Sequence, residues 1–81
     1  MGLIEDLQES RLPTPRVRRS IRVTSGASLR DVAAEMGRRG YPVSAMTVLK
    51  WERGEMEPRR DRAAVYRRLL GELQGQTQEP A

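Results

Sequence analysis

The chain contains no cysteine and no histidine among its 81 residues. Without cysteine it has neither a disulfide framework nor a thiolate zinc site. Without histidine it has no imidazole metal ligand, no nucleophile–His pair and no side chain that ordinarily titrates near neutral pH. No apolar run approaches the roughly 18 residues of a membrane span, and the start Met-Gly-Leu-Ile-Glu-Asp lacks a basic leader region. The expectation is a soluble, cytoplasmic protein. A phosphate-cradling glycine loop is missing, as is a pocketed carboxylate pair, so no enzyme is expected, and no cofactor, metal or small-molecule ligand. No strand pattern and no internal repeat is present. A chain this short forms one small domain burying only about 60% of its unfolded surface, too little to house a deep, dry active site easily.

What the chain does have is unevenly placed charge. Residues 1–10 carry three acids (Glu5, Asp6, Glu9) and no base, whereas residues 11–68 carry all fifteen Lys and Arg against six acids, a net +9. A basic body suits a polyanionic partner, although a solvated charged surface has the same composition. Fourteen of the fifteen bases are arginine, which favours bidentate contact with phosphate or guanine; a GC-rich genome gives the same bias.

In chain order, Leu3, Ile4 and Leu7 fall at helical spacing between acids. A short amphipathic helix over residues 2–10 would lie on its own domain or in a dimer contact. Thr14-Pro15 is a helix start, because the residue before proline leaves the α region and proline suits the first helical position. The helix it opens runs to about Ser25 before Gly26, with Val17 and Ile21 inward and Arg16, Arg18, Arg19 and Arg22 making it basic. Ser28-Leu-Arg-Asp31 is a capping box with Asp in place of Glu. It opens a helix to Met36, closed by Gly37, with Leu29, Val32, Ala33 and Met36 on one face. Arg38 to Pro42 is a loop. Ser44 caps the next helix, which Gly54 ends. Val48 and Trp51 face inward, while Ala45, Met46, Leu49 and Lys50 cover the outside. Pro58 starts a last helix to about Leu73, burying Val65, Tyr66, Leu69, Leu70 and Leu73. The fold class is all-α, a compact bundle of about five short helices containing a helix-turn-helix. Residues 1–13 form a short helix and linker, 14–73 the domain, and 74–81 a polar tail with nothing to bury, expected to be disordered.

Two strings, Ser28-x4-Ala33-x3-Gly37 and Ser44-x3-Val48-x2-Trp51-Glu52-Arg53-Gly54-x3-Pro58, resemble the Xre-type, phage repressor- and Cro-like helix-turn-helix DNA-binding proteins, over roughly Thr14 to Leu70. The layout also looks like regulators common in actinobacteria and their mobile elements. The resemblance implies a lambda-repressor-like fold and a sequence-specific transcriptional regulator of double-stranded DNA, with residues 44–53 in the major groove. Ala33, Gly37, Val48 and Trp51 would fix the packing of the two helices. Arg22 and Glu52 would form a structural pair. Ser44, Ala45, Met46, Leu49 and Lys50 would read bases. Lys50 would donate to guanine, and the apolar residues would touch thymine methyls unless Met46 and Leu49 are simply core or lightly exposed. Arg22, Ser28, Arg30, Arg38, Arg39, Thr47 and Arg59 would meet the backbone.

The chain departs from that pattern at three places. Leu29 replaces the usual phosphate-holding Gln. The turn over Arg38–Pro42 is longer than usual by about five residues; it supplies phosphate contacts or is merely a longer surface loop. The segment after Gly54 carries Glu55 and Glu57, where relatives often carry bases, so no phosphate contact is expected from it. A homodimer on a palindromic operator is an expected partner arrangement. The alternative is a protein–protein interaction module, antitoxin-like or polymerase-associated, with secondary DNA contact.

Overall fold

The Thr14 hydroxyl accepts the Val17 amide at 3.4 Å while Pro15 takes the first helical position, and from this start the body of the fold follows. The computed structural model of the protein describes residues 11–78. Among them are four helices and no strand: α1 (Pro15–Ser25), α2 (Leu29–Arg38), α3 (Ala45–Arg53) and α4 (Arg60–Gln78). The expected helix over residues 2–10 lies outside the described residues.

The first three helices stop by the same device. Ala27 N–H bonds to Arg22 O at 3.2 Å, Tyr41 N–H to Met36 O at 2.9 Å and Glu55 N–H to Lys50 O at 3.0 Å. Each six-to-one bond closes around a left-handed residue, Gly26, Gly40 or Gly54, and satisfies a carbonyl orphaned at the helix end. This corrects the expected end of α2. Gly37 lies inside the helix, and Gly40, at φ 93°, is the stop. The connection to α3 is therefore 39–44, and part of the apparent insertion is extra helix. Gly37 is also exposed, and a Cβ there would approach only the Pro42 Cα, at 4.0 Å, so it is not a close-packing position. The helix starts follow their local chemistry: Ser28 and Asp31 exchange both bonds of a capping box, and Ser44 accepts the Thr47 amide at 3.0 Å.

Two expectations for α4 fail. Pro58 is not its first residue. It is buried in the preceding loop, and the helix begins at Arg60, whose φ is 49°. At the far end, residues 74–78, expected to be disordered, continue the helix to Gln78.

The core comprises Ile21, Val32, Met36, Val48, Trp51, Tyr66, Leu69 and Leu70. Each such side chain contributes roughly 1.5–3 kcal/mol when fully removed from water. Helix α1 packs on α4 and α3, and α2 packs on α3. Trp51 and Tyr66 stack at 4.6 Å between ring centroids, tilted by 43°. At Gly54 a Cβ would lie 3.3 Å from Pro15 Cγ, so the end of α3 meets the start of α1 with little room to spare. The expected inward pair on α1 is half right: Ile21 is buried, but Val17 is exposed and Arg18 takes the inward place, 4% exposed. None of the described helices is long and apolar enough to cross a membrane.

Candidate nucleic-acid interface

Helix α3 presents two different faces. Val48, Trp51 and Glu52 are buried, while Ser44 and Met46 are exposed, Met46 to 57%, and Ala45, Leu49 and Lys50 are half-buried between them. Three sets of contacts hold the inner face. Core packing is one. The second is the Arg22–Glu52 pair, bidentate at 2.5 and 3.0 Å, with the third guanidinium nitrogen donating to Ala27 O at 3.0 Å. Each of the three Arg22 guanidinium nitrogens is thus engaged inside the protein, and the side chain, 12% exposed, is turned inward and not toward a phosphate.

The third set was not anticipated. Arg18 donates to Pro13 O at 2.7 Å, to Trp51 O at 3.0 Å, and to both oxygens of Glu57 at 3.2 and 2.8 Å. One side chain thereby joins the segment before α1, a carbonyl in the last turn of α3, and the acidic loop after it. A buried arginine requires such pairing, because an unpaired charge out of water costs several kcal/mol. One signal was available in the sequence: Arg18 lies three and four residues before Ile21 and Arg22 and so shares their face.

The proposed backbone-contacting residues divide by their partners. The Ser28 hydroxyl accepts from the Asp31 amide, and the Ser28 amide donates to the Asp31 carboxylate, the main cause that holds that carboxyl below its ordinary range. Arg38 bonds to Glu35 at 2.8 Å. Arg39 bonds to Glu35 at 2.8 Å and to Glu72 of α4 at 2.6 Å, and it is the main cause of the lowered pKa of both carboxyls. Arg39 thereby ties α2 to α4, whereas the Arg38 bond stays within α2 and leaves its side chain 67% exposed. The Thr47 hydroxyl lies 3.1 Å from Ser44 Oγ. By contrast Arg16, Arg19, Arg30, Lys50 and Arg59 make no ion pair among the described residues. Arg59 borders an open groove with Val43, Thr47, Met56 and Pro58, so the loop after α3 and the side of α3 share one concave surface. Arg62, on the same groove, stands 6.0 Å from the centre of the Tyr41 ring.

Among the described residues no group of three or more acidic side chains could hold a metal ion. No family model matches the chain, and neither does any curated protein or solved structure. The arrangement offers a helix anchored along its inner face, with Met46 exposed on the outer side and, among the described residues, several cations outside any ion pair.

Proposed function

We propose that the protein is a sequence-specific regulator of transcription that binds double-stranded DNA. In this reading α2 and α3 act as a helix-turn-helix and α3 enters the major groove. One observation carries it: the inner face of α3 is fixed by core packing and two arginines, while its outer face, with Lys50, is left free. A reading residue must be held within about half an ångström to discriminate bases, and a helix anchored on its opposite side supplies that rigidity. Lys50 donates to guanine O6 and N7, and Ala45, Met46 and Leu49 offer apolar contact to thymine methyls. Phosphate contacts come from Arg30, Arg59, Arg16 and Arg19, which make no ion pair among the described residues, and not from Arg39, all three of whose guanidinium nitrogens bond to carboxylates.

Titration of labelled duplex at several salt concentrations tests this. About five neutralised phosphates give a slope of log K against log salt near −4 to −5. Binding indifferent to salt sinks the proposal. Lys50→Ala weakens binding by about 1–3 kcal/mol and relaxes the preference at one position. A palindrome among sequences selected from a random pool, with half-sites about one helical turn apart, would identify a homodimer on DNA.

A second reading, a protein-binding module with secondary DNA contact, draws on the exposed Met46 and Met56. Adaptable, polarizable side chains of this kind recur at protein-binding surfaces. Lys50→Glu with Arg59→Glu abolishes DNA binding and spares such a partner. Regulation that survives both changes would favour this second reading.

A further inference from the structure

The loop between α3 and α4 presents a contradiction. It borders the surface assigned above to DNA, yet carries Glu55 and Glu57, and acids facing a polyanion ordinarily lower its affinity. Glu57 is not acting as a free negative charge, however. Both of its oxygens accept from Arg18, at 3.2 and 2.8 Å, and Arg18 is anchored in turn to Pro13 O and Trp51 O. The carboxylate remains 55% exposed while its partner is buried. The loop is held at further points: Glu55 N–H returns to Lys50 O at 3.0 Å, and Pro58 is buried. Immediately after these fixed points come Arg59 and Arg60, both exposed and unpaired among the described residues. Arg59 faces the groove it shares with Thr47 of α3.

We infer that the Arg18–Glu57 pair is a brace that sets Arg59 against the phosphate backbone beside the α3 reading face, so that an acid in the interface raises DNA affinity. This rests on the DNA-binding reading and deepens it by naming Glu57 as a positioning residue. The sign of the effect separates two mechanisms. If Glu57 acts only through its charge, removing it relieves repulsion and tightens binding. If it positions Arg59, removing it frees the loop, Arg59 loses its fixed approach, and binding weakens although a negative charge has gone.

The experiment uses the full chain and a duplex of about 20 base pairs, long enough for two half-sites, enriched from a random pool by the unaltered protein. Affinity is measured by fluorescence anisotropy between about 50 and 200 mM KCl. Glu57→Ala is expected to weaken binding about fivefold and to make the salt slope shallower by about one, the signature of one lost phosphate contact. Arg59→Ala is expected to give the same two changes, and the double variant to be no weaker than either single one, because the two residues act through one contact. Glu57→Gln, which keeps an acceptor for Arg18 and the side-chain shape, is expected to recover part of the affinity; it also serves if the alanine variant melts too low to assay. Binding by Glu57→Ala that equals or exceeds the unaltered protein, or losses that add in the double variant, overturns the brace and leaves the DNA reading standing. Salt-insensitive or absent duplex binding by the unaltered protein overturns both.

Discussion

At the α1–α3 junction Arg22 grips Glu52 with side chains only 12% and 1% exposed, whereas at the α2–α4 edge Arg39 grips a Glu72 that is 52% exposed. The bonds are of similar length, 2.5 and 2.6 Å, and the residue types are the same. Their consequences differ because of what surrounds them. In the first pair Glu52 has given up water and Arg22 most of it, and each depends on the other, so losing one partner leaves a largely buried charge uncompensated. In the second, water replaces whichever partner is removed, and the net contribution of such pairs is small. Hydrogen-bond geometry alone therefore does not rank these two contacts. Burial does.

The largest effect expected from breaking this comparison is at Glu52. Glu52→Ala should destabilise the protein by about 3 kcal/mol, the lower end for a buried pair because Arg22 keeps slight access to water, as read by urea denaturation. Replacing both members together, Arg22→Met with Glu52→Leu, should cost much less than the single change, since no stranded charge remains. A double variant as unstable as the single one would mean the pair contributes more than mutual neutralisation.

Next in size is Tyr66, also in the buried region. Its hydroxyl is buried with no hydrogen-bond partner among the described residues, and burial, then Glu52, pushes its pKa upward. An unsatisfied hydroxyl costs free energy, so Tyr66→Phe should leave stability unchanged or raise it by up to about 1 kcal/mol. A loss of that size or more would reveal a partner for the oxygen.

The smallest effects belong to the exposed edge. Arg39→Ala should lower the melting midpoint by about 3 °C or less, and the difference should shrink in high salt. Its pH dependence has a definite sign. Glu35 and Glu72 have pKa values lowered in the folded state chiefly by bonds from Arg39. Their contribution is present above the unfolded carboxyl range, about 4.3, and is lost as pH falls through the lowered folded values. Thermal melts taken from about pH 6 downward should therefore fall less steeply for Arg39→Ala than for the unaltered chain.

These two regions were not equally legible in the amino-acid sequence. The Thr14-Pro15 start, the Ser28–Asp31 box, the Ser44 cap and the Gly54 stop are written in residues a few positions apart, and each appears in the structure. Where two neighbouring signals competed, local chemistry could not choose. Gly37 and Gly40 both suit a helix end, and only the bond from Tyr41 N–H to Met36 O decides for Gly40. Pro58 suits a helix start equally well as it suits the buried loop position it occupies. The polar residues 74–78 carry no apolar stripe, yet α4 runs on through them from its packed portion. The Arg22–Glu52 pair was anticipated only from a family resemblance. Arg18 and Glu57, 39 residues apart, were not anticipated at all, since no periodicity joins positions so distant. For the proposed interface, the exposed face of α3 follows from helical spacing. Which arginines are already committed to carboxylates does not, because that depends on contacts between helices.

The Arg18 clasp has a kinetic consequence as well. The bonds that stop α1, α2 and α3 close within six residues, while Arg18 reaches Trp51 and Glu57 across 33 and 39 residues. Forming it requires the loss of long-loop entropy before any bond is gained. It should therefore close after the rate-limiting step, and weakening it through Glu57 should speed unfolding while leaving the refolding rate nearly unchanged. The same side chain that orders the surface beside α3 would then set how long the folded chain persists, not how quickly it forms.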